Sequence, residues 1–405
     1  MKAGAFLVGI ATVASALAAS QANAFPQVVN VKDCYNGGTD DNALHNAFAV
    51  AQGATGFGSC GIAGSSAYIG AVYVPPGVYQ QTTNLTITTA LTISGVRGRF
   101  TGTGSVINAS SAVTRMLDIQ TDSPVLITDL DLDASSQPSG SAAIYVAGST
   151  GSENNASVIE RVTITGAQTG IFLAATTQAV IRSVHLEEPR VYGVYIKNTF
   201  NKDHGDATIE GSTIGSGQAG SVGIHQVSSG GLRLHNNKII GGGPTPMAIG
   251  YRMALEPGAN TSILIITGNS IEGQVDRGIQ LYRTSSDAFF SHVIINDNQF
   301  ASAEVGLEVF DAATGLGTPS ADWLQGLTVS GNVFHDNSNS SIALHQLNAA
   351  FIVGNIFRGS GNGLWFNTTG VTPANVKVGG NTYLNVSTHI AGASVVTQCP
   401  PSTCN

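Results

Sequence analysis

A short phrase recurs through the second half of the chain. Val329-Ser330-Gly331-Asn332-Val333-Phe334 is followed about ten residues later by Ser341-Ile342-Ala343-Leu344-His345. The phrase returns as Ile266-Thr267-Gly268-Asn269-Ser270-Ile271 with Gly278-Ile279-Gln280-Leu281-Tyr282, and again around Asn298, Asn355 and Asn381. A repeat of roughly 20–35 residues with Asn at one fixed corner describes a solenoid, in which each repeat is a coil stacked on the last. The corners align as Leu130, Val162, Val184, Ser212, Asn237, Asn269, Asn298, Asn332, Asn355 and Asn381. Stacked Asn side chains bond to each other and to the backbone at a bend, so these corners are structural.

Composition agrees. Only 10% of the residues are charged and 50 of 405 are Gly, which suits an all-β chain with many tight turns better than a helical bundle or a disordered chain. A net charge of −8, without any run of basic residues, argues against a nucleic-acid partner.

Residues 1–24 read as a signal peptide. Lys2 supplies the positive start, Ala5 to Ala18 is apolar but too short to span a bilayer, and Ala22-Asn23-Ala24 is a small-x-small cleavage site. No later stretch reads as a membrane span, so a secreted or periplasmic protein is expected. Cysteine usage fits an oxidising compartment. Cys34 with Cys60 and Cys399 with Cys404 is the simplest pairing, and each would staple one solenoid end. The spacing offers no metal site through these thiols.

Residues 25–70 read as an N-terminal cap. Asp40 or Asp41 can start a helix whose apolar face is Ala43, Leu44, Ala47, Phe48 and Ala51, and an amphipathic helix here covers the first coil. Ala71-Val-Tyr-Val-Pro-Pro-Gly-Val-Tyr79 follows as strand, turn, strand. The combination of Gly38-Thr39-Asp40-Asp41, a short helix and this strand, Pro-Pro-Gly turn and strand resembles the N-terminal signature of the pectin-lyase-like superfamily, in its pectate lyase, rhamnogalacturonase and epimerase branch, which also includes phage tailspikes. The resemblance implies an all-β fold, a single right-handed parallel β-helix over residues 71–390 with an N-terminal capping helix. Residues 391–405 remain as a tail. It also implies a polysaccharide partner. The oligomeric state is left open between monomer and trimer.

The second strand of each coil carries the variable positions. Its inward residues read Leu117, Ile144, Ile171, Val194, Ile224, Ile249, Ile279, Leu307, Ile342 and Leu364. Alternation then places two columns outward. The first runs Asp118, Tyr145, Phe172, Tyr195, His225, Gly250, Gln280, Glu308, Ala343, Trp365. The second runs Gln120, Ala147, Ala174, Lys197, Val227, Arg252, Tyr282, Phe310, His345, Asn367. Aromatic rings stack on sugars and cations hold carboxylates, so the middle of this stripe suits an acidic polysaccharide. Loops 198–206, 253–261 and 311–323, the last with Asp322 and Trp323, are candidate walls.

Three chemistries compete with plain solvated strand residues here. β-Elimination from a uronate needs a base, a cation for the carboxylate and an acid for the leaving oxygen. The candidate catalytic set is Lys197, His225, Arg252, Tyr282 and Glu308. Tyr195, Gln280, Phe310, Asp311, Asp203, His204 and Asp206 are candidate substrate contacts. Hydrolysis needs paired carboxylates. Glu308 with Asp311, or Asp203 with Asp206, would have to supply them, but the polygalacturonase-like motifs are incomplete. An epimerase reading has Tyr192-Gly193 without the Asp-Pro-His of that type, and His335-Asp336-Asn337 reads as a polar turn. Binding without catalysis, as in a surface adhesin, is the alternative. No cofactor is required by these readings. Asp129, Asp131 and Asp133, alternating about Leu130 and Leu132, are the one set that could offer oxygens to calcium.

Overall fold

The computed structural model describes residues 28–54, 60, 70–98, 103–200, 205–215, 217–242, 246–312, 323–345, 347, 349–367, 375–392 and 397–399. Each coil visits three parallel sheets in turn. Asn260–Thr267 lies in sheet A, Ser270–Glu272 in sheet B and Arg277–Arg283 in sheet C, and Phe289–Asn296 then returns to sheet A one coil further on. Among the described residues sheet A holds 15 strands and sheets B and C hold 12 each, all paired in parallel. Their inner faces enclose one continuous core of stacked Ile, Leu and Val, joined towards the C-terminus by the rings of Phe300, Phe334 and Phe357.

The bend between sheets A and B explains the recurring Gly-Asn. The residue before each corner has a positive φ, at Gly268 (68°), Asp297 (55°), Gly331 (66°), Gly354 (64°) and Gly380 (60°). That conformation favours Gly, Asn or Asp. The following Asn turns inward and is stacked. Its backbone N–H and its Nδ2 both donate to Oδ1 of the next Asn at 2.8–3.0 Å, from Asn237 through Asn269, Asn298, Asn332 and Asn355 to Asn381. Each Nδ2 also donates to a carbonyl of the preceding coil, as Asn298 does to Ile266 at 2.8 Å. Ser212 extends the ladder backwards, donating from its N–H to Asn237 Oδ1 and accepting from Val184 N–H.

At the N-terminus, the helix Asp40–Ala51 buries Ala43, Leu44, Ala47, Phe48 and Ala51, the expected face. Its N-cap is Thr39, whose side chain accepts from Asn42 N–H, rather than either Asp. Asp40 and Asp41 instead accept backbone N–H groups of Gln80, Thr82 and Thr83, which ties the cap to the first coils. The Cys34–Cys60 disulfide is formed. The signal-peptide segment, the side chain of Cys399, and Cys404 lie outside the described residues.

The strand register corrects one coil of the expected columns. Ile224 pairs with Tyr251, and Tyr251 with Ile279, so Tyr251 and not Ile249 occupies the inward position. Tyr251 is fully buried, and its hydroxyl donates to Gln226 Oε1 inside the core. Arg252 therefore moves from the second outward column to the first, between His225 and Gln280. Gly250 falls in a column of its own, with Gly170, Gly193, Gly223, Gly278 and Gly306, where sheet C begins. At each of these glycines an added side chain would meet the neighbouring coil. A Cβ on Gly223 would lie 2.5 Å from the Gly250 carbonyl oxygen and 2.9 Å from Ile239. Gly223→Ala is expected to cost about 1–3 kcal/mol through overpacking, measured as a lowered urea midpoint.

Candidate active site

The outer face of sheet C presents the stripe. Tyr145, Phe172, Tyr195, His225, Arg252, Gln280, Glu308, Ala343 and Trp365 are consecutive register partners. Parallel neighbours are about 4.8 Å apart. The N-terminal half is aromatic. The Arg115 guanidinium lies 3.6 Å from the Tyr145 ring centre, Tyr145 meets Phe172 at 5.1 Å, and Phe172 meets Tyr195 at 4.7 Å. Tyr192 stacks on Tyr195 at 4.8 Å, and both rings flank His225, at 5.0 and 5.4 Å.

His225 is 8% exposed, and both ring nitrogens are buried without a hydrogen-bond partner. Burial, with Arg252 and Lys197 adding positive charge nearby, pushes its pKa down to about 4, so the imidazole is neutral at pH 7. Burial also holds the Tyr195 phenol up at about 12, helped by Tyr192 and Glu256. Most cations on the strands of this sheet are already matched. Arg115 pairs with Asp118 at 3.0 Å, Lys197 with Glu256 at 2.7 Å, and Arg277 with Glu304 and Glu308 at 2.7 and 3.0 Å. Arg283 pairs with Asp311. Arg252 is the exception among the described residues. Its Nε donates to Gln280 Oε1 at 3.0 Å and its guanidinium lies 5.9 Å from the Tyr282 ring centre, but no carboxylate pairs with it.

Beyond Arg252 the floor becomes a polar network. Gln280 Nε2 donates to Glu308 Oε2 at 2.7 Å, and His345 Nε2 lies 3.7 Å from Glu308 Oε1. Phe310 and Trp365 both meet the His345 ring edge-on, at 5.3 and 4.9 Å. Burial lowers the His345 pKa, Glu308 opposes that shift, and Arg277 reinforces it.

A model of a right-handed β-helix region matches residues 142–316. In structure the chain is similar to the A-module of mannuronan C-5 epimerase AlgE6 from Azotobacter vinelandii, with a TM-score of 0.64 at 16% identity, covering 92% of this chain and 99% of that one. It is also similar to the surface protein and adhesin PfbA of Streptococcus pneumoniae (0.57, 15%, 90% and 99%). A third likeness is to the catalytic unit of a GH87 α-1,3-glucanase from Streptomyces thermodiastaticus strain HF3-3 (0.53, 14%, 94% and 71%). No curated protein matches the sequence. The chain folds as a right-handed parallel β-helix. An epimerase, an adhesin and a glucanase on one scaffold show that the fold leaves the reaction open.

The β-helix brings together Tyr195, Lys197, His225, Arg252, Gln280, Tyr282, Glu308 and Phe310 on neighbouring strands. It does not bring Asp311 to that face. Asp311 is 0% exposed and takes a two-pronged ion pair from Arg283 at 3.0 and 2.8 Å, because an inward carboxylate must be matched where water is excluded. Trp323, expected in a wall, is likewise buried, against Arg283. Asp206 lies at the start of a sheet-A strand and accepts the Gly231 N–H. Asp203, His204 and Asp322 lie outside the described residues.

The three Asp residues that could have offered oxygens to calcium are split. Asp129 occupies a positive-φ corner and pairs with Arg161 at 2.8 Å, Asp131 is buried beneath Gly98, and Asp133 accepts the Ser135 N–H. Among the described residues, no three His, Cys, Asp or Glu side chains converge as metal ligands would. Sequence reasoning missed Arg277, and it weighed Tyr192 only within the Tyr192-Gly193 phrase and not on this face. They belong to a third outward column, just before the glycines, where the two-residue alternation breaks at the corner.

Proposed function

We propose that this β-helix is an exported protein that binds an acidic polysaccharide along sheet C and cleaves it by β-elimination. The observation that carries the reading is Arg252, a cation without a carboxylate partner among the described residues, set beside the buried and neutral His225. A uronate carboxylate supplies the missing charge, and Arg252 then stabilises the negative charge that develops when the adjacent carbon is deprotonated. His225 takes that proton. The electron pair forms the ring double bond, and the glycosidic oxygen at the β carbon leaves with a proton from a tyrosine. Tyr195, which stays protonated far above neutrality, and Tyr282 are the two candidates for this acid. Lys197 is the poorer candidate for the base, since its amine is engaged by Glu256 at 2.7 Å.

In the free chain the His225 nitrogens are covered, and Tyr192 lies on the face of Tyr195 where a sugar would stack. A sugar that displaces Tyr192 uncovers the base. The loss of Asp311 from the face removes one of the two carboxylate pairs that hydrolysis would have used. Export follows the sequence of residues 1–24 and agrees with the Cys34–Cys60 disulfide.

Incubation with uronate-containing polysaccharides is expected to raise the ultraviolet absorbance of an unsaturated product end. New reducing ends without that absorbance would overturn elimination in favour of hydrolysis. Retained glycan binding with neither signal would leave an adhesin-like binder, the reading that the covered nitrogens favour.

A further inference from the structure

The two halves of the sheet C face differ in kind, and the difference bears on which acidic polysaccharide fits. On the coils of Tyr145 and Phe172, the second outward column carries only Ala147 and Ala174. Ala174 is buried, so among the described residues these coils offer aromatic rings, the Ala147 methyl group and no charge. The cation at their far edge, Arg115, is held by Asp118 and lies over Tyr145. Asp118 is 5% exposed and also accepts from Gln120, so this end gives an added carboxylate no unmatched cation. On the next coil Lys197 is paired with Glu256. Among the described residues, the first unmatched cation is Arg252. Past it come an amide, Gln280, and a carboxylate, Glu308, which repels a second acid.

A pyranose ring is about as long as one coil is deep. Consecutive uronates lying along the axis would thus place carboxylates over Phe172, Tyr145 and Glu308, where each loses water and meets no unmatched cation, Arg115 being held by Asp118 and Arg277 by Glu304 and Glu308. Sugars with uncharged, partly apolar faces fit those coils, because ring C–H groups stack on aromatic faces. We propose that the polysaccharide is a heteropolymer in which a single uronate seated at Arg252 is flanked by neutral sugars, those over Tyr145 and Phe172 being bound by stacking. This inference rests on the reading of Arg252 as the carboxylate site.

The test compares two polymers on the full chain. One is polygalacturonate, acidic at every residue. The other is a gellan-type polymer, with one glucuronate in each tetrasaccharide repeat. The gellan-type polymer is expected to be turned over or bound at least about ten-fold better. Phe172→Ala should weaken that preference by about ten-fold, Phe172→Tyr should retain it, and circular dichroism should report both as folded. Equal or better use of polygalacturonate, with no effect of Phe172→Ala, would overturn the inference and leave Arg252 as the carboxylate site. If neither polymer is bound or cleaved, the reading of Arg252 falls and this inference falls with it.

Discussion

His225→Gln is expected to lower turnover of an acidic polysaccharide by at least about a thousand-fold, with the dissociation constant changed only a few-fold. The glutamine amide fills the same space between Tyr192 and Tyr195 but cannot accept the proton. A general base contributes about 10²–10⁴-fold, and its removal from a site that otherwise still binds appears in kcat rather than in KM. The pH profile supplies a second readout. With the His225 pKa pushed down to about 4 by burial, Arg252 and Lys197, the neutral base is present well below pH 6. The acid limb of kcat/KM should fall near pH 4 and not near the ordinary histidine value. Lys197→Met removes one of those positive charges and should move the limb upward.

Stability follows the same linkage. Between about pH 6.5 and pH 4 the unfolded chain binds a proton at this position and the folded chain does not. The folded state therefore loses stability as pH falls through that window, by on the order of 3 kcal/mol in all. His225→Gln should flatten most of that loss and leave the part due to His345, whose pKa is also lowered. Turnover within about three-fold of the parent, or an acid limb that does not move with Lys197→Met, would remove His225 from the reaction.

Much of the architecture could be read directly from residues. The Gly-Asn phrase marks a positive φ followed by an inward amide, and both requirements are local, so they survive as a repeated dipeptide. The helix face from Ala43 to Ala51 is similarly local. The site was legible only as far as the two-residue alternation holds. It breaks where Gly193, Gly223, Gly250 and Gly278 turn the chain into sheet C, and there Tyr192 and Arg277 reach the outer face unannounced. It also misled at Arg252. Ile249 looks like the inward residue, while the residue that fills the core is Tyr251, with its hydroxyl satisfied by a buried Gln226. Asp311 shows the same blindness in charge. A carboxylate at a strand end reads as exposed unless its partner, Arg283 on the preceding coil, is known to lie beside it.

The corner that makes the fold legible should also be where it is most fragile. Asn298→Ala is expected to destabilise the chain by about 3–5 kcal/mol, an amount that follows from the number of buried groups it orphans. Asn298 Oδ1 accepts from both the N–H and the Nδ2 of Asn269, and its own Nδ2 serves the Ile266 and Asn296 carbonyls and Asn332 Oδ1. Asn298 is 2% exposed, so water cannot replace these bonds without opening the corner. Asn298→Asp should not rescue it. The carboxylate accepts from Asn269, but it cannot donate to the Ile266 carbonyl, and it faces Asn332 Oδ1 with a buried charge. Asn381→Ala should cost less. Asn381 is partly exposed near the last coil, where it donates to the Ile352 carbonyl and accepts from Asn355, with no further Asn beyond it among these ladder bonds. Coils contact only their neighbours, so the Asn298 lesion should also split the unfolding transition, separating the coils before it from those after it. Chemical denaturation followed by far-ultraviolet circular dichroism measures both effects. A cost below about 1 kcal/mol for Asn298→Ala, or equal costs at Asn298 and Asn381, would mean that the ladder accompanies the fold without holding it.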